Sequence, residues 1–254
     1  MEEGRGVIGS WEDFEKYRWP APERFDLSRY EFIARHLPEG MGFVVSHGAG
    51  IFEHVAETLL GFEGLCYLLH DEPELVRAVF QRTGEIIYAY CRQLLQIEGV
   101  GCLFQGDDLG FRTSTFLPAD LLRELVLPWH RKLARLAHDQ GIPYFLHSCG
   151  NLHALMEDLL NDVRIDGKHS TEDAIINIID FKRQYSPRIA ALGGVDVHLL
   201  SRASEEEIRR HTRRLMDECM PGGKFALGSG NSIANYIPVD NYLAMLDQAL
   251  AWEP

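Results

Sequence analysis

Ile142-Pro143-Tyr144-Phe145-Leu146-His147-Ser148-Cys149-Gly150 decides how this chain is read: an apolar strand ends in a His and a Cys two residues apart, followed by a glycine. Successive strand side chains alternate between faces, so His147 and Cys149 share one. In a barrel of parallel strands, that face at the carboxyl end is where an imidazole and a thiol together bridge a borderline cation such as zinc. The competing reading is a hydrogen-bonded core histidine beside a small buried thiol.

On both sides of this stretch, short apolar segments alternate with long amphipathic ones, the rhythm of βα units and a parallel sheet. Strands are expected at residues 42–47, 101–106, 143–147, 164–168, 188–193 and 224–228, each apolar enough to be covered on both faces. Helices are expected at 51–69, at 73–98 with Asp71 as cap and Pro73 in the first turn, and at 118–139 with a bend at Pro128. Others follow at 152–160, 171–184, 204–219 and 239–252, the one at 204 opened by a Ser204/Glu207 capping box. The fold class is therefore α/β, of (β/α)8 TIM-barrel type, with about six βα units evident in the chain. Residues 1–40 carry aromatics and prolines without that rhythm and are expected to form a connector packed on the domain. Residues 41–254 form the partial barrel.

Reactive groups in such sheets gather just beyond the carboxyl ends of the strands. Those ends carry His47; Asp107 and Asp108; His147 and Cys149; Lys168 and His169; Asp196; and Ser229 with Asn231. Taken singly, an Asp or Asn at such a place is as well explained as a helix cap or turn residue.

The 254 residues include 46% hydrophobic and 10% aromatic side chains, the composition of a globular protein. A formal charge of -13 with no offsetting basic stripe excludes general affinity for nucleic acid or an anionic membrane. Five scattered cysteines make no disulfide framework, and neither a leader at Met1 to Gly6 nor a membrane span is evident, so a cytoplasmic location is expected. The Gly228-Ser229-Gly230-Asn231-Ser232 turn lacks the lysine of a phosphate-binding loop.

Four blocks, GFVVSHGAGIFEHVAETLLGFEGLCYLLHDEPELV, GDDLGFRTSTFLPADLLRELVLPWHRKL, HSCGN and GSGNSIANYIPVDNYLAML, together resemble the uroporphyrinogen decarboxylase superfamily. The resemblance runs from about Trp11 to the carboxyl terminus. It implies either a decarboxylase acting on porphyrinogens or a zinc-dependent methyltransferase exchanging a methyl group between a small methylated donor or thiol and a corrinoid (cobalamin) carried by a partner protein. His147 and Cys149 match the His-x-Cys of the methyltransferases, whose third ligand is a Cys in a late Gly-Cys-Gly turn. Here Gly228-Ser229-Gly230 stands in that place, and a serine hydroxyl is a poor zinc ligand.

On the methyltransferase reading His147 and Cys149 hold the metal, with Asp107, Asp196 or His169 completing the set. Asp107, Asp108, His47 and His169 orient substrate or move protons, while Lys168, Asp196, Ser229 and Asn231 contact substrate. The alternative is a porphyrinogen decarboxylase using Asp107 or Asp108 and the rim histidines without metal, although the arginine-rich motif and the Gly-His-Gly turn of those enzymes are not matched. A third reading is a catalytically degenerate module that binds a corrinoid protein. The chain is expected to begin after the second βα unit of the family barrel, and a homodimer is one way to cover the edges this leaves.

Overall fold

The computed structural model describes residues 6–253, so the Met1 to Arg5 start of the expected connector and leader reading lies outside the described residues. The described part of the connector holds α1 (Trp11–Lys16) and α2 (Ser28–His36) and no strand. It packs on the domain through edge-on aromatic contacts, Phe25 against Tyr90 among them, and through Tyr30, whose hydroxyl donates to the Ser46 carbonyl at 3.3 Å.

Six strands follow: β1 (Phe43–Val45), β2 (Val100–Gly106), β3 (Tyr144–His147), β4 (Gly167–His169), β5 (Ala190–Val195) and β6 (Phe225–Ser229). They form one sheet in the order β1-β2-β3-β4-β5-β6 with every pair parallel, the order that successive right-handed βα crossovers produce. The α/β reading with six βα units holds. The sheet curls as an open part of a barrel, β1 and β6 each pairing on one side. In β3 burial alternates: Tyr144 and Leu146 point outward under the helices and are fully buried, while Phe145 and His147 point to the inner face and are half-buried. Each fully buried side chain of leucine size on the outer face contributes about 1.5–3 kcal/mol.

The helical layer departs from expectation in particular places. The helix expected at 51–69 is broken: α3 (Ile51–Glu53) runs on as a wider helical turn over His54–Leu59, and Gly61 at φ 72° separates it from α4 (Phe62–Asp71). Asp71 is the last residue of α4 and does not cap α5 (Pro73–Leu94); Glu72 precedes that helix, with Pro73 in its first turn as expected. The expected bend at Pro128 is a break at Val126 between α6 (Ala119–Leu125) and α7 (Leu127–His138). Pro128 has no N–H to give the preceding turn, and it suits a new first turn.

After β3 the helical stretch is irregular around α8 (Met156–Asp158) and ends at Arg164 with φ 64°, so β4 starts later than expected. Residues 171–176 form a loop before α9 (Ile178–Tyr185), and the short α10 (Val197–Arg202) has no counterpart in the sequence reading. The remaining helices are α11 (Glu205–Cys219) and α12 (Val239–Leu250), and the Ser204/Glu207 capping box of α11 is present. Among the described residues no helix is long and apolar enough to cross a membrane.

Candidate metal centre

The parallel register sets Gly106 beside His147 and His147 beside His169, so the two imidazoles project side by side from the inner face. Their Nδ1 atoms are 2.6 Å apart. The other nitrogen of His147, Nε2, lies 3.5 Å from the Cys149 Sγ and 3.5 Å from Asp108 Oδ1. One ligand atom each from Asp108, His147 and Cys149 lies within 4.8 Å of the others. Tetrahedral zinc with ordinary bond lengths requires N···S and N···O edges of about 3.3–3.5 Å. The nitrogen of His147 meets both requirements, and the set of imidazole, thiol and carboxylate suits the ion.

The loop after β3 is built to hold this arrangement. Cys149 N–H donates to Asp108 Oδ1 at 2.7 Å, Gly150 N–H to Glu172 Oε1 at 2.8 Å, and Leu109 N–H to Ser148 Oγ at 3.0 Å. Gly150 has φ 80°, and a Cβ there would sit 2.1 Å from the Gly110 carbonyl carbon, so only glycine lets the loops after β2 and β3 touch. The Asn231 amide closes the site from the β6 side, donating from Nδ2 to Cys149 Sγ at 3.3 Å. The inner mouth, bounded by Ser46, Phe104, His147, His169 and Asn231, holds a cavity of about 370 Å³.

Burial first, and then the negative charge of Asp108, pushes the Cys149 thiol up to about 12. A cation bound between the three groups reverses that balance, because it stabilises the thiolate directly. Burial also lowers His147, against the pull of Asp108, and holds His169 down to about 4. Both shifts favour the neutral ring, the form in which imidazole ligates metal.

Several residues expected at the site face elsewhere, since each strand end sends alternate residues to opposite faces. Asp107 is fully buried on the outer side. Its carboxylate accepts from the N–H groups of Ile51 (3.0 Å), Phe52 (3.2 Å) and Glu53 (3.1 Å) and from His130 Nε2 (2.9 Å), which makes it the cap of α3 and not a ligand or substrate group.

His47 packs edge-on against His54 and Tyr90, away from the mouth. Lys168 lies behind the sheet and donates to the carbonyls of Ser148 (3.2 Å) and Ser170 (2.5 Å); burial holds its pKa down to about 8. It borders a second cavity of about 300 Å³, together with Glu172, Phe181 and Tyr185, that includes neither His147 nor Cys149. Asp196 caps α10 through the His198 N–H at 2.7 Å. The Ser229 hydroxyl donates to the Asn231 carbonyl at 2.6 Å, turned into its own loop, so it does not replace the missing thiolate.

The carboxylate that the fold brings beside His147 and Cys149 is thus that of Asp108, in place of the Asp107, Asp196 or His169 named from the sequence. Glu172, which fixes the Gly150 N–H, and His130, which pairs with Asp107, were not singled out. Strand parity separates Asp107 from Asp108 once Gly106 is known to face inward beside His147. Glu172 lies outside regular structure, and no periodicity marks it.

The family model described as uroporphyrinogen decarboxylase (URO-D) matches residues 7–252. A methylated-thiol–coenzyme M methyltransferase of Methanosarcina mazei is 25% identical over 191 residues, which is 75% of this chain and 48% of that protein. The chain therefore spans about half the length of the curated relative it matches. A solved methyltransferase from Methanosarcina mazei superposes with a TM-score of 0.68 at 17% identity, over 97% of this chain and 68% of the other. That likeness is one of fold. With the family match running through the connector, all six strands and the loop that carries His147 and Cys149, the chain belongs to the uroporphyrinogen decarboxylase family.

Proposed function

We propose that this chain is a methyltransferase-type member of its family that binds zinc through Asp108, His147 and Cys149 and moves a methyl group between a small methylated thiol or free thiol and a corrinoid carried by a partner protein. The observation that carries the proposal is the convergence of those three groups at the carboxyl ends of β2 and β3, their ligand atoms within 4.8 Å of one another, with His147 also lining the inner mouth. The relative named for methylated thiols and coenzyme M supplies the substrate class, and the corrinoid follows from the family resemblance. When bound, zinc lowers the pKa of a substrate thiol and keeps it a nucleophilic thiolate near neutral pH.

The chain's own residues do the rest. Asp108 brings a negative charge that helps offset the cation and anchors the Cys149 backbone through its N–H. Asn231 donates to the Cys149 sulfur and tempers its charge. Phe104 and the paired imidazoles line a mouth of about 370 Å³, of a size for a small thiol. The rival decarboxylase reading loses one of its two candidate carboxylates, because both oxygens of Asp107 are engaged in capping α3 and pairing with His130.

Elemental analysis of the reconstituted protein and of Cys149→Ala tests the proposal. One zinc per chain is expected in the parent and none in the variant, together with loss of methyl transfer. A parent protein without stoichiometric zinc overturns it, as does a Cys149→Ala variant that keeps both metal and activity. Carbon dioxide release from uroporphyrinogen without zinc would establish the decarboxylase instead.

A further inference from the structure

We propose that His169 is a positioning residue that selects the tautomer of His147, leaving the lone pair of His147 Nε2 turned toward Cys149 and Asp108. Hydrogen-bond polarity around two neutral rings leads to it. His169 Nε2 lies 2.9 Å from the Ser229 backbone carbonyl, which only accepts, so this nitrogen carries the proton. Among the described residues no carboxylate is hydrogen-bonded to this ring: its polar partners are a carbonyl and another imidazole, and Phe104 meets it edge to face with centroids 5.9 Å apart, a setting that favours the neutral imidazole. His169 Nδ1 then holds a lone pair.

Two nitrogens at 2.6 Å need one proton between them. His147 Nδ1 supplies it, and His147 Nε2 is left as the acceptor atom, 3.5 Å from both Cys149 Sγ and Asp108 Oδ1. The source of the device is strand register, because His147 and His169 are paired residues of β3 and β4 and Ser229 ends β6 on the far side of β5. A backbone carbonyl on one strand thereby fixes the proton position on an imidazole three strands away. The Ser229 side chain plays no part, so any residue at that position with the same backbone path serves equally.

A histidine that ligates through one nitrogen is commonly oriented by a hydrogen bond at the other, and losing that partner typically weakens metal binding about 10–100-fold. The consequence for metal rests on the zinc reading given above, whereas the tautomer does not, and two measurements separate them.

Nitrogen-15 correlation spectra of the metal-free protein at neutral pH, assigned with His147→Gln and His169→Gln, read the tautomers directly. The expected result is a protonated Nδ1 on His147 and a protonated Nε2 on His169; a protonated Nε2 on metal-free His147 overturns the proposal. Cobalt(II) titration then compares the parent with His169→Leu and His169→Gln. His169→Leu removes both hydrogen bonds and is expected to weaken cobalt binding about 10–100-fold and to mix the His147 tautomers. His169→Gln keeps an acceptor and a donor on one amide and is expected to restore most of the affinity.

A His169→Leu protein that folds and keeps the parent's tautomer and affinity overturns the positioning role. Should that variant fail to fold, the parent spectrum and the Gln variant still decide, since a folded His169→Gln with a protonated Nε2 on His147 is equally fatal. A parent that shows the expected tautomers but binds no cobalt or zinc refutes the zinc reading alone.

Discussion

Two adjacent residues of one strand end make two Asp–His pairs that serve opposite purposes. Asp107 meets His130 on the outer face at 2.9 Å, with both side chains wholly excluded from solvent. Asp108 faces His147 on the inner side at 3.5 Å, with 33% and 23% of the side chains exposed. In the outer pair every partner is present: three backbone N–H groups reach Asp107, and His130 Nδ1 accepts from the Tyr144 hydroxyl at 2.7 Å. The inner pair stands too far apart for a hydrogen bond and holds its acceptor atoms beside a thiol. Identical side chains thus become a structural clamp where their hydrogen bonds are saturated, and a candidate site where geometry leaves them available.

The hardest test of that contrast is to remove each carboxylate in turn. Asp107→Ala strands three buried N–H groups and His130, and is expected to cost about 3–5 kcal/mol in urea unfolding. Asp108→Ala, on the partly exposed inner side, is expected to cost about 1 kcal/mol or less. Equal losses would dissolve the distinction between the two faces.

Gly50 tests the clamp from its other side. It precedes α3, and a Cβ there would lie 2.0 Å from Asp107 Cγ, because the carboxylate presses directly on the helix start. Gly50→Ala is expected to lower stability by about 2–4 kcal/mol by driving Asp107 off the N–H groups. Combined with Asp107→Ala, its cost should largely vanish, and additive losses in the double mutant would show that the clash is not with Asp107.

For the inner pair the decisive readout is metal affinity. Asp108→Asn keeps an oxygen for the Cys149 N–H but removes the charge. Zinc binding, measured by chelator competition, is expected to weaken by at least about a hundredfold, more than removal of an outer partner produces, with little change in unfolding. An Asn variant that binds zinc like the parent would take Asp108 out of the ligand set.

The contrast also explains what could be read from the chain beforehand. The βα order and all six strands follow from local apolar pattern, and His147 with Cys149 follows from spacing of two in a strand. The split between Asp107 and Asp108 does not, since it depends on the parity of β2 relative to β3, which only the pairing of Gly106 with His147 establishes. His47, Lys168 and Asp196 end strands, a position that points to the rim, yet parity or capping turns them outward. Ser229 matters through its carbonyl, and side-chain chemistry carries no information about a backbone atom. Glu172 and Asn231 reach Gly150 and Cys149 from separate loops, contacts that exist only once the sheet is assembled.

Glu53 feels the carboxylates of both pairs and gives the finest probe of them. Its carboxylate accepts from the Gly50 N–H at 2.7 Å, but burial, aided by the charges of Asp107 and Asp108, raises its pKa to about 7. In the unfolded chain the group titrates near 4.3. Between these values the folded state binds more protons than the unfolded one, so Glu53 makes stability fall as pH rises through that window and level off above about 7. Glu53→Gln keeps an acceptor for Gly50 and cannot ionise. Allowing for its partial exposure, the variant is expected to match the parent in mild acid and to exceed it by about 1 kcal/mol above neutral pH, as read from urea midpoints across the pH range. An Asp108→Asn background should shrink that gain by removing one of the three repulsions, from Asp107, Asp108 and Glu57, whereas an unchanged gain would mean that Glu53 does not sense the inner carboxylate.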